Sequence, residues 1–136
     1  MKEETLNEMT VQEACDYAVA KIVEQCGRCT RSDNNEISCA YGNQKGRHCA
    51  VGWLLDEDNA ELMGFKGNVD GLISKGLAPK FISNNRYVLR TLQQFHDTRG
   101  CPARGELLIG LNDLGVDTSA PQYKDWVDMG DLYVRD

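Results

Sequence analysis

The 136 residues of this chain suffice for one globular domain and are too few for two. A net charge of −6 excludes a general affinity for nucleic acid or an anionic membrane surface, because both need clustered Lys and Arg. With 41% hydrophobic and 26% charged residues the composition is that of an ordinary globular protein, and no run reaches the roughly 18 apolar residues of a membrane span.

Met1-Lys2-Glu3-Glu4 is followed by no apolar stretch of signal-peptide length. The expected location is therefore the cytoplasm. There, six cysteines serve as thiols, metal ligands or nucleophiles before they pair as disulfides.

Residues 10–26 read as a helix. Thr10 and Glu13 fit a capping box, and Gly27 fits the position just past the helix end. Val11, Ala14, Cys15, Ala18, Ile22 and Cys26 form one apolar stripe at helical spacing. Residues 27–36 are polar, with a turn signal at Asp33-Asn34-Asn35. Ile37–Tyr41 reads as a short strand, followed by the turn formers Gly42-Asn43-Gln44-Lys45-Gly46. Cys49–Leu55 is either a return strand or a buried helix. The i,i+4 recurrence of Cys49 with Trp53 and of Ala50 with Leu54 favours the helix.

Further along, Asn68 caps a short helix over Val69–Lys75 that Gly76 closes, and Pro79 marks a connection. Ser83 or Asn84 opens a helix to about His96, with Val88, Leu92 and Phe95 on one face. Pro102 suits the first turn of another helix, which carries Leu107, Leu108, Leu111 and Leu114 and ends at Gly115. Pro121–Met129 is a last short helix that brings Trp126 and Val127 to the core, and Leu132-Tyr133-Val134 is a terminal strand or tail. The expected class is α+β: a mostly helical single domain over residues 1–136 with a small β-hairpin.

The cysteines offer a candidate metal site. Zinc takes four N or S ligands in a tetrahedron, and thiolates suit it. Cys26 and Cys29 have the two-residue gap of a metal knuckle, and Cys39 and Cys49 stand at the two ends of the expected hairpin. The spacing is C-x2-C-x9-C-x9-C, with His48 as a substitute ligand. Against this, Cys26 lies on the apolar stripe, where a plain core cysteine belongs. The expected cofactor is none or one structural zinc.

A thiol enzyme is a second chemistry. Cys49 at a helix start would sit in the partial positive charge that favours a thiolate. His96 could serve as its base and Asp97 as the orienting carboxylate. The competing reading is electrostatic: His96 near a helix C-terminus is favoured as a cation, and Asp97 is a terminal turn residue.

Gly64, Gly67, Gly71 and Gly76 match neither the dinucleotide nor the P-loop spacing and read as turn glycines. Asp56-Glu57-Asp58 is a cation-binding run or a solvated loop. Arg86 and Arg90, one helical turn apart, form an anion patch or a solvated face. Tyr41, Tyr123, Trp126 and Tyr133 are candidate anchors for a partner surface, with core packing as the alternative for Trp126.

The stretches "CAYGNQKGRHCAVGWLLDED", "GNVDGLI" and "LQQFHD" resemble a group of small bacteriophage and prophage proteins. That group carries a Cys-Ala-Tyr stretch, a turn, a Cys-Ala-Val-Gly helix start, an acidic loop and a Leu-Gln-x-x-His-Asp helix end. The matching positions are Cys39, Tyr41, Cys49, Gly52, Leu92, Gln93, His96 and Asp97, within residues 38–97. The Cys26-x-x-Cys29 pair departs from the pattern. The resemblance implies a viral protein in the host cytoplasm and supplies no mechanism. Its leading implication is a small accessory protein that binds a host protein, as an anti-defence or host-takeover factor, with no catalysis of its own. The alternatives are a zinc-stabilised binding module using Cys26, Cys29, Cys39 and Cys49, and a thiol enzyme using Cys49 and His96. Nucleic acid and membrane are not expected partners, and the oligomeric state is left open.

Overall fold

A computed structural model describes the backbone of residues 1–25, 30–33, 36–39, 41–42, 46–97 and 101–128, and the side chains of 1–25, 41–42, 46–94, 105–106 and 108–128. A single-turn helix α1 (Glu3–Asn7) leads into α2 (Val11–Gln25). Both halves of the expected capping box form. Thr10 Oγ1 accepts the Glu13 N–H at 3.1 Å, and Glu13 Oε1 accepts the Thr10 N–H at 3.0 Å. The helix buries Ala14, Cys15, Ala18 and Ile22 of the apolar stripe read from the sequence, with Val19 added; Val11 is partly buried, and Cys26 lies outside the described residues.

The α+β class is corrected to all-α. Helix makes up 64% of the residues described to their side chains, and none of those residues is in a strand. The turn expected at residues 42–46 was to lead into Cys49–Leu55 as a return strand or, the reading favoured, a buried helix. The segment is neither a strand nor an α-helix: Ala50–Val51 is a turn and Gly52–Leu54 a 3₁₀ turn. The reason is that side chains consume the backbone groups a return strand would need. Cys49 Sγ accepts the Gly52 N–H, Gln93 Oε1 accepts the Val51 N–H, and His48 Nδ1 takes the Tyr41 carbonyl. The backbone does form a two-stranded antiparallel ladder one segment earlier, β1 (Thr30–Asp33) with β2 (Glu36–Cys39), flanking the Asp33-Asn34-Asn35 turn signal.

The later helices follow their caps. Asn59 Oδ1 accepts the Glu61 and Leu62 N–H groups and starts α3 (Ala60–Met63). Asn68 Oδ1 accepts the Gly71 N–H at 2.8 Å and starts α4 (Val69–Ser74). Gly76, at φ +73°, closes α4 as expected, because that left-handed conformation strains any residue with a Cβ. Pro79 precedes α5 (Lys80–Asn84), and Asn85 separates it from α6 (Arg86–Asp97), so the single helix expected from residue 83 or 84 begins two residues later behind a separate short turn. Helices α7 (Cys101–Asp113) and α8 (Pro121–Asp128) complete the fold.

Helix α2 packs on α8, and α6 on α7 and α4. Trp126, Tyr123, Ile22, Leu54, Leu72, Ile82 and Leu89 fill the centre. A polar clasp fixes α8 to α2: the Tyr123 hydroxyl donates to Asp16 Oδ1 at 2.8 Å. Burial of the ring, and then that hydrogen bond, raise the Tyr123 pKa well above its ordinary value. Gln12 extends the clasp, donating to Asp16 and to the Asp117 carbonyl and accepting the Asp117 N–H at 2.7 Å.

Candidate functional site

The motif residues at 41–55 form a buried knot. Tyr41 is 3% exposed. Its hydroxyl donates to the Gly67 carbonyl at 3.1 Å, and its own carbonyl lies 3.0 Å from His48 Nδ1. A carbonyl can only accept, so Nδ1 is the protonated nitrogen in that contact. A Cβ on Gly52 would collide with the same Tyr41 carbonyl, and one on Gly42 with the Met63 sulfur. Gln25, from α2, clamps the His48 backbone, accepting its N–H and donating to its C=O, both at 2.9 Å. Gln93, from α6, reaches Val51 at 3.1 Å. Tyr41, Cys49, Gly52 and Gln93, four of the positions on which the phage resemblance rests, therefore hold one turn together.

This geometry decides the anchor candidates. Tyr41 is inside the knot and Trp126 is fully buried, so neither presents a ring to a partner in this fold. Tyr123 is likewise buried, and Tyr133 lies outside the described residues. All three buried rings belong to the hydrophobic core.

Of the candidate zinc ligands, Cys26 and Cys29 lie outside the described residues, and only the backbone of Cys39 is described. The ladder pairs Cys39 with Thr30, the residue that follows Cys29 in the chain. Cys49 is 1% exposed, and its sulfur accepts the Gly52 N–H at 3.3 Å, in the manner of a capping side chain for the 3₁₀ turn. No group of three or more His, Cys, Asp or Glu side chains converges among the described residues. His96 and Asp97 are the last residues of α6, and their side chains are outside those described. The helix approaches the Cys49 turn through Gln93, three residues before His96. At Cys49 itself, burial works against the solvent-accessible thiolate that a nucleophile needs.

The acidic run at Asp56-Glu57-Asp58 has a cation from within the chain: Lys2 Nζ lies 3.1 Å from Asp56 and 2.8 Å from Asp58. The Met1 ammonium donates to the Leu55 carbonyl at 2.6 Å beside it.

The structure gives the Arg86 and Arg90 pair, already singled out in the sequence, two partners that the sequence reading missed, Asp70 and Tyr87. Arg86 and Arg90 both bond the single carboxylate of Asp70, Arg86 Nη2 at 2.9 Å and Arg90 Nη1 at 3.1 Å. The Arg90 bond, and then that from Arg86, hold the Asp70 carboxyl below the usual carboxylate range. Two guanidinium groups on one carboxylate leave one positive charge over. Between them stands Tyr87, 59% exposed, with the Arg86 and Arg90 guanidinium carbons 5.6 and 5.2 Å from its ring centre. The other exposed large apolar side chains among the described residues are Ile109 and Leu114, on α7 and just past its end. Thr91 of α6 lies against Gly110 of α7. One turn outward from that contact brings Tyr87 and Leu114 to the same end of the helix pair. Leu114, read from the sequence only as one of the leucines of this helix, is exposed, whereas Leu111 is buried. The signal for Tyr87 was its offset from the Val88–Leu92–Phe95 face, which leaves it on the arginine side.

No helix among the described residues is long and apolar enough to cross a membrane. Compared with protein-family models, curated proteins and solved structures, the chain matches none of them.

Proposed function

We propose that this chain is a small phage-type accessory protein that acts by docking on a host protein, with no catalysis of its own. The observation that supports this reading is the Tyr87 surface. An exposed tyrosine held between two arginines has the composition of an interface hot spot, where Tyr and Arg are enriched. Holding both guanidinium groups on Asp70 reduces the side-chain entropy lost on binding. Ile109 and Leu114 add apolar area on the same helix pair, at positions the core does not use. The test is capture from a bacterial lysate with wild-type, Tyr87→Ala and Ile109→Glu baits, read by quantitative mass spectrometry. A protein retained in stoichiometric amount by the wild type and lost with both variants supports the reading. Identical capture by all three baits overturns it.

A zinc-stabilised form of the same module, on Cys26, Cys29, Cys39 and Cys49, is the second reading. It is favoured by the strand register, which sets Cys39 opposite the residue after Cys29. It is opposed at Cys49, whose sulfur is already engaged in the core. Native mass spectrometry of untagged protein separates them: a zinc-sized mass excess lost in acid supports the metal, and a bare polypeptide mass removes it.

A further inference from the structure

The part of the chain around Tyr87 carries a charge opposite to that of the whole. Residues 69–94, which form α4, α5 and most of α6, hold four cations, Lys75, Lys80, Arg86 and Arg90, against one carboxylate, Asp70. Their net charge is +3 in a chain of −6, so the remainder carries −9. Folding keeps the three helices together, because α4 and α5 both pack on α6. Every side chain of this span is among those described. Lys75 and Lys80 are exposed and have no acid partner among the described residues.

The two arginines are held in place and only partly used. Arg86 donates through Nε and Nη2 to Asp70 Oδ1, and Arg90 through Nη1 to Asp70 Oδ2. Arg86 Nη1 and Arg90 Nε and Nη2 meet no acceptor among the described residues, and the two side chains are 44% and 38% exposed. Asp70 thus fixes where both guanidinium groups stand, and each keeps N–H donors for a further carboxylate. The exposed Tyr87 ring between them offers apolar area beside the charge.

We infer that the partner segment seated on Tyr87 is an acidic stretch of polypeptide, whose carboxylates pair with Arg86 and Arg90 while Lys75 and Lys80 help to draw it in. The inference rests on the docking reading above and names the chemistry of its partner. Complementary charge of this kind sets the association rate and the choice of partner more than the final affinity, and salt screens it over about 10 Å at 0.1 M. A nucleic acid is the other polyanion that such a face attracts. A long phosphate backbone also meets the −9 carried by the rest of the chain, whereas a short acidic segment needs only the local patch.

The probes are two short synthetic peptides, one of alternating glutamate and alanine and one with glutamine in place of each glutamate, and a short oligothymidylate. Each is titrated into the ¹⁵N-labelled full chain at low and at physiological salt, with backbone amide and arginine Nε–H signals recorded. The glutamate peptide is expected to move the Tyr87 amide and the Arg86 and Arg90 Nε–H signals to saturation, more weakly at the higher salt. The glutamine peptide should leave them in place. Arg90→Gln should weaken the affinity by about tenfold, the loss of one charge-assisted contact. The same amide spectrum reports whether that variant is folded, and Arg86→Gln, at the more exposed arginine, provides the second variant. No movement with the glutamate peptide overturns the inference, as does equal binding of the two peptides or an affinity that both variants leave unchanged. Tighter saturation of the same signals by the oligothymidylate overturns it in favour of a nucleic acid. The docking reading itself falls only to identical lysate capture by its three baits, so the two failures are distinct.

Discussion

Replacing Gly52 with alanine tests the knot at 41–55 most directly. The new methyl would meet the Tyr41 carbonyl, which is backbone and is itself held by His48 Nδ1. Neither group can swing away as the end of a long side chain could. Overpacking of this kind costs about 1–3 kcal/mol, and a rigid neighbour puts the cost near the top of that range. Alanine returns about 0.4–1 kcal/mol by restricting the unfolded chain. The net loss is therefore about 2 kcal/mol, which lowers the melting temperature by roughly 8 °C in a domain of this size. The matched control is Gly105→Ala. Gly105 lies inside α7, and a Cβ there meets nothing within 4 Å. That change should stabilise the protein by about 0.5–1 kcal/mol through helix propensity alone. Thermal and urea unfolding followed by circular dichroism measures both. If Gly52→Ala unfolds at or above the wild-type midpoint, the close approach of the Tyr41 carbonyl does not constrain the turn and the account of the motif is wrong.

Two other outcomes follow from buried groups. Tyr123→Phe removes the hydrogen bond to Asp16 and should cost about 1.5 kcal/mol in urea at neutral pH, as for a bond to a charged acceptor. The Tyr123 pKa is raised in the folded state, so the unfolded chain ionises first: stability is intact below the ordinary tyrosine value near 10 and falls as pH rises past it. Unfolding curves between neutrality and strong alkali should show a shallower decline in the variant than in the wild type. An equal decline would show that Tyr123 does not carry the pH dependence. Burial, and then the neighbouring Asp16, push the Cys15 thiol up to about 12, and Cys49 is equally enclosed. Neither should be alkylated by iodoacetamide in the native protein near pH 8, while both should react in denaturant. Peptide mapping that finds native Cys49 labelled at the rate of a free thiol would revive its candidacy as a nucleophile.

Local chemistry is legible in the amino-acid sequence. The capping box at Thr10 and Glu13, the Asn68 cap, the Gly76 end of α4 and the apolar stripe of α2 all depend on residues close together in the chain. Their side chains and backbone groups meet whatever the rest of the chain does. The segment Cys49–Leu55 cannot be read in this way. Its apolar run fits either a strand or a helix, and the choice is made by Gln93 and Gln25, 42 and 23 residues away from the backbone groups they bond. The same holds for function. Sequence alone identifies cysteines, tyrosines and arginines as places where chemistry could occur. Which of them face solvent is a property of packing: Tyr41 and Trp126 are taken into the core, and Tyr87 is left outside with Arg86 and Arg90 on a shared carboxylate 16 and 20 residues upstream of them. Burial is settled by the whole set of long-range contacts at once, so no short pattern in the chain encodes it.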